Sequence, residues 1–108
     1  MSLDVSIKCP CCNTYPFSSN ITHNLAKMAS KAFIYHSLWR PDEIGVTKAG
    51  ELIPALTLGL QLLERDPEYF EKFSAVNGWG LYGHLVIFVK GYLYACQQCP
   101  NGIVSVSR

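Results

Sequence analysis

Asn20-Ile21-Thr22-His23-Asn24-Leu25 is the stretch on which the fold turns. Before it, apolar residues recur at every second position. After it they recur at every third or fourth, the helical period. The chain therefore opens as strand and becomes helix here. Two amides, a hydroxyl and an imidazole also meet within five residues, more polar chemistry than a helix cap needs. The stretch is thus the first candidate for a ligand-facing site.

Upstream, Leu3, Val5, Ile7 and Cys9 alternate with Asp4, Ser6 and Lys8, the pattern of a half-buried strand over residues 3–9. Residues 9–13 are a turn-rich break. Residues 14–18 read as a short return strand, with Pro16 marking an edge position. Downstream, Asn20 or Thr22 caps a helix running to about Leu38. Ile21, Leu25, Met28, Ala32, Tyr35 and Trp39 form its apolar stripe. Asn20, Asn24, Lys27 and Lys31 form the opposite row, with His23 beside it. Pro41 ends the helix through its restriction of Arg40.

Thr47 caps a second helix to about Glu64, with Leu52, Ile53, Leu56, Leu60 and Leu63 inward, and Pro54 is expected to kink or divide it. Asp66-Pro67 starts a short third helix to about Ala75, anchored by Tyr69, Phe70 and Phe73. A glycine-rich loop, Asn77-Gly78-Trp79-Gly80, leads to a fourth helix over residues 81–98. Its expected inward residues are Tyr82, Leu85, Val86, Val89, Leu93 and Cys96. Residues 103–107 alternate again and close the chain as a strand. The expected fold class is α+β in a single domain, residues 1–108. A small antiparallel sheet, made of an N-terminal hairpin and a C-terminal strand, packs on a body of about four helices.

The 108 residues are 49% hydrophobic with a net charge of +1, which excludes bulk attraction to nucleic acid or a membrane surface. The charge is uneven. Residues 1–40 carry four bases against Asp4, residues 41–75 carry seven acids against three bases, and residues 76–108 carry only Lys90 and Arg108. The first helix is thus the anion-facing region. No basic segment followed by an apolar run opens the chain, and the run from Leu81 to Cys96 is too short and too interrupted to span a bilayer. A cytoplasmic location is the expectation, with the five cysteines as thiols or metal ligands.

Three constellations carry possible chemistry. Cys9 and Cys12 form one C-x-x-C pair and Cys96 and Cys99 another. If the first and last strands pair antiparallel, all four come to one end of the sheet, where zinc would take four thiolates. Buried or free thiols account for the same residues. Gly78-x-Gly80-x-x-Gly83 matches a dinucleotide fingerprint by letter only, because a helix rather than a strand precedes it. The loop could still offer backbone amides to an anion at a helix start, or merely let two helices meet. The third constellation is Asn20, His23, Asn24, Lys27 and Lys31, with Trp39 and Arg40 beyond. Amides read donor and acceptor edges, cations neutralise phosphate, and an indole stacks on a ring. An N-cap followed by a solvated face is the plain alternative. No nucleophile–base–acid set is visible around His23, His36 or His84.

The run Asn20-Ile-Thr-His-Asn-Leu, then Met28-Ala29, Tyr35, Leu38-Trp39-Arg40-Pro41 and Glu43-Ile44-Gly45, resembles a family of small proteins encoded by bacteriophages and bacteria. Asn77-Gly-Trp-Gly, Tyr82, Phe88-Val89, Tyr92-Leu93, Ala95-Cys96 and Val104-Ser-Val-Ser-Arg108 carry the resemblance over nearly the whole chain. The family has no established activity. The resemblance implies one site shared by residues 20–24, 39–40 and 77–82. The Cys9/Cys12 pair and Cys99 lie outside its signature, which makes zinc a local embellishment. The expected ligand-binding set is Asn20, His23, Asn24, Lys27, Trp39, Arg40, Asn77, Trp79 and Tyr82. The expected partner is a small anionic, nucleotide-like ligand, with sequestration of a host defence signal as its role. The rival expectations are an inhibitor or adaptor that binds a host protein through Trp39, Trp79, Tyr82 and Tyr92, and a small hydrolase using His23 or His36 as base. A homo-oligomer stays open.

Overall fold

The computed structural model describes residues 2–11, 13–74, 78 and 80–108. Three strands form an antiparallel sheet in the order β2-β1-β3, with β1 at Ser2–Lys8, β2 at Phe17–Thr22 and β3 at Ile103–Ser107. Register follows the alternation of the sequence. Leu3, Val5 and Ile7 are fully buried, and they stand opposite Ile21, Ser19 and Phe17 on one side. Val106 and Val104 stand opposite Val5 and Ile7 on the other. The fold is α+β, as the sequence indicates.

The return strand lies later than expected. Asn20, Ile21 and Thr22 are sheet residues, so the cap falls to Thr22, whose Oγ1 accepts from the amide of Asn24 at 3.2 Å. Edge pairing with β1 outweighs the helical start because it buries Ile21 beside Leu3. The outward edge of β2 has no strand beside it among the described residues.

The expected single helix to Leu38 is divided. A 3-10 turn at His23–Leu25 leads into α1, Ala26–Lys31, and the chain restarts as α2, Tyr35–Trp39. Phe33 takes a left-handed φ of +63° between them. The cause is tertiary. Ile34 is fully buried against the next long helix, where a Cβ at Gly59 would overlap its Cγ2. Seating Ile34 there requires the chain to turn, and packing overrides the continuous helical period.

That next helix is α3, Ile53–Arg65, preceded by a 3-10 turn at Ala49–Leu52. Pro54 lies in its first turn, where the missing amide costs nothing, so the proline divides the expected helix at its start rather than kinking it. α4, Pro67–Glu71, starts as read, with the Asp66 carboxylate accepting from the Tyr69 amide. α5, Tyr82–Gln98, packs against β2, α3 and α4, burying Leu85, Phe88, Val89, Tyr92, Leu93, Ala95 and Cys96. Phe17 of β2 stacks on Tyr92 at 5.1 Å and 3°, which locks sheet to helix. No helix among the described residues is long and apolar enough to cross a membrane.

Candidate functional site

An open cleft of about 810 Å³ lies between β2 and the first two turns of α5. Ser19, Asn20, Ile21 and Thr22 form one wall in unbroken succession, so the strand edge itself faces the cleft. His84, Ile87 and Phe88 form the other, at helical spacing. Asn24, Leu25, Gly78 and Gly80 close one end.

Its cause can be read from side-chain size. Ser19 occupies an inward-facing register position between Phe17 and Ile21, and it fills far less space than either. Opposite, Ile87 is 72% exposed, without a large side chain from β2 to cover it. Gly80 takes a φ of +120°, and a Cβ there would crowd Asn24 Cβ at 3.0 Å and Thr22 Cγ2 at 3.3 Å. Gly80 therefore sits directly against the 22–24 turn.

The apolar lining is Ile21, Leu25, Ile87 and Phe88, and the polar lining is Ser19, Asn20, Thr22, Asn24 and His84. His84 Nδ1 accepts from the Leu81 amide at 3.4 Å, which places the ring proton on Nε2 as a donor. No Lys or Arg lines the cleft among the described residues.

Of the residues expected at the site, Asn20 and Asn24 line the cleft. Asn77 and Trp79 lie outside the described residues. The others are engaged elsewhere. Trp39 is 3% exposed, and its Nε1–H donates to His23 Nδ1 at 2.8 Å. His23 thereby carries its proton on Nε2, so neither ring nitrogen offers a free lone pair for a general base. Tyr35 stacks on Trp39 at 5.6 Å and accepts from Arg40 Nε at 3.1 Å. Arg40 also pairs with Glu43 at 2.6 Å. The bond to Tyr35 first, then that to Glu43, holds the guanidinium above its ordinary range. Lys27 and Lys31 lie over the ring of Phe73 at 5.6 and 5.8 Å. Tyr82 donates its hydroxyl to the Leu63 carbonyl at 2.6 Å, and burial is the first cause raising that phenol. Tyr92 is fully buried.

The cleft residues that sequence reading missed are Ser2, Ser19, His84, Ile87 and Phe88. Their signal was present in part. Positions 84, 87 and 88 share one helical face, and that face begins four residues after Gly80.

β1 and β3 pair antiparallel with Lys8 opposite Ile103, so Cys9 and the 99–102 turn do come to one end of the sheet. A Cβ at Gly102 would touch both Ile7 and Cys99. Cys96 is fully buried, and burial pushes its thiol up to about 12. It fits an apolar core position better than a thiolate ligand. Cys12 lies outside the described residues, and among those described no group of three or more His, Cys, Asp or Glu is placed to hold a metal.

Comparison with protein families, with curated proteins and with solved structures found no match to this chain.

Proposed function

We propose that this is a small-ligand-binding protein whose site is the cleft between β2 and α5. One observation carries the reading: a cleft of ligand size whose lining combines apolar Ile21, Leu25, Ile87 and Phe88 with polar Ser19, Thr22, Asn24 and His84. A planar ring lies against Phe88 and Ile87, and Asn20 and Asn24 read its hydrogen-bonding edge. A nucleotide-like ligand fits these groups. Its negative end faces His84 and the amino end of α5, in place of the Lys27 and Arg40 of the sequence reading. The resemblance to phage proteins adds sequestration of a host signalling nucleotide as the role.

Isothermal titration with cyclic and linear nucleotides tests this. Heat is expected with at least one member, and Asn20→Ala or His84→Ala should weaken that binding about tenfold, the loss of one hydrogen bond to a charged or well-placed group. No heat with any member, at protein concentrations of about tens of micromolar, sinks the reading.

The open edge of β2 favours a second reading, a partner protein whose extended segment pairs with residues 18–21. Its expected anchors Trp39 and Tyr92 are buried, which leaves the strand edge and Ile87 as its contact surface.

A further inference from the structure

The turn that joins α5 to β3 brings two thiols to one place in the sheet. Along its outer edge β3 is bonded to residues 47–49. The Val104 amide donates to the Thr47 carbonyl at 3.0 Å, and the Ala49 amide donates to the Gly102 carbonyl at 2.8 Å. These groups of Val104 and Gly102 therefore face away from β1. The described ladder ends with Lys8 opposite Ile103, so its next step sets Cys9 opposite Gly102. The backbone of Cys9 continues the strand toward the other side. Its amide donates to the Thr14 carbonyl at 2.7 Å, and its carbonyl accepts from the Asn13 amide at 3.1 Å. Cys9 and Gly102 are thus a non-hydrogen-bonded antiparallel pair, the kind whose Cα atoms stand about 4.5 Å apart with side chains close.

Gly102 has no side chain to fill its half of that pair. Ile7 and Cys99 fill it instead, and the Cys99 Sγ lies 3.2 Å from where a Gly102 Cβ would stand. The Gly102 amide holds the turn closed by donating to the Cys99 carbonyl at 3.0 Å. The alternation that buries Leu3, Val5 and Ile7 turns the Cys9 side chain to the same face. Two thiols thus flank one cross-strand position. Both are half-buried and open to a small oxidant, whereas Cys96 is fully buried.

We propose that Cys9 and Cys99 are a redox pair, which a low-molecular-weight disulfide such as oxidised glutathione converts into a disulfide clasp between the end of β1 and the end of α5. One protein thiolate attacks a glutathione sulfur and releases one glutathione thiolate. The second protein thiolate then displaces the other glutathione from the mixed disulfide. Two protein thiols are oxidised, one glutathione disulfide is reduced to two thiols, and the protons pass from the first pair to the second. Ser2 and Thr22, at the other end of β1, border the cleft, so failure of the clasp leaves the ligand reading untouched.

Mass spectrometry of the purified full chain is the test, after exchange with oxidised glutathione at about pH 8, where an ordinary thiol is partly ionised, and then alkylation. The expected product is lighter by a pair of hydrogens before alkylation and yields a linked Cys9–Cys99 peptide. Cys11, Cys12 and Cys96 are left to the alkylating agent. In urea the same exchange should give a mixture of pairings, because the fold no longer selects one. The clasp closes a long loop, so oxidation should raise the thermal midpoint by about 5 °C or more, and dithiothreitol should reverse the rise. Cys9→Ser and Cys99→Ser should each abolish the rise, and Cys11→Ser should leave it. Glutathione adducts without a bridge overturn the proposal. So does a bridge from Cys99 to Cys11 or Cys12, or pairing no more selective in the native chain than in urea. A Cys9–Cys99 bridge that leaves the midpoint unmoved overturns the clasp.

Discussion

His23 shows how a single residue changes meaning between sequence and structure. In the sequence it stands in a polar helix start and invites a ligand. In the fold its Nδ1 is the acceptor for a buried indole N–H at 2.8 Å. Removing that acceptor leaves the Trp39 donor desolvated and unpaired, which costs about 1–3 kcal/mol. His23→Ala should therefore lower stability by about that amount in urea unfolding. In a Trp39→Phe background the donor is gone, and the same substitution should cost clearly less. Equal losses in both backgrounds would show that the bond contributes nothing. His84 makes the opposite journey. The sequence shows it as one of three histidines without an evident catalytic set, and in the fold it lines the cleft. Its role depends on which residues fold against Gly80, which local sequence does not state.

At the scale of elements, β1, β3 and the longer helices α3 and α5 were legible because alternation and helical period survive folding unchanged, whereas β2 lies later than its expected 14–18. β1, β3, the Asp66 cap and most of the inward face of α5 lie where those periods put them. The division at Phe33 was not legible. Residues 25–39 keep a helical stripe across the break, since Leu25, Met28, Ala32 and Trp39 are all buried despite the turn. The information lies 25 residues away, in Gly59, whose missing side chain admits Ile34. Gly59 thus sets helix propensity against packing. Alanine is the better helix former by about 1 kcal/mol, yet its Cβ would overlap Ile34. Forcing a methyl into a filled site costs about 1–3 kcal/mol. The second effect wins, so Gly59→Ala should destabilise in thermal or urea unfolding. In an Ile34→Ala background the overlap vanishes and Gly59→Ala should become stabilising. A stabilising Gly59→Ala in the unaltered chain would mean that Ile34 does not hold the break in place.

At the scale of the whole molecule, the site was half legible. Gly80 does meet the 20–24 stretch, against Thr22 and Asn24. Trp39-Arg40 was expected to join them from the far end of one helix. The break turns α2 so that Trp39 enters the core, and that side of the molecule is closed by a different device. Arg108, one residue past β3, donates to the Trp39 carbonyl at 3.0 Å and to Asp42 Oδ1 at 2.9 Å. It joins parts of the chain more than 60 residues apart. The bond from Arg108 is the first cause holding the Asp42 carboxyl below its usual range. The amides of Lys48 and Thr47 do the same for Glu51. A carboxyl whose pKa is lower folded than unfolded adds stability above the unfolded value. It loses that stability as pH falls through the folded one. The unfolded value for Asp is about 3.9. The stability difference between the unaltered chain and Asp42→Asn should therefore be constant from about pH 7 to 5 and shrink below about pH 4. Because Asp42 and Arg108 are partly exposed, the difference should also shrink in about 0.5 M salt, where exposed charges are screened. Urea unfolding across that pH series reads both effects. A gap that widens toward acid, or one indifferent to pH, would place the contribution of Arg108 in its bond to the Trp39 carbonyl alone.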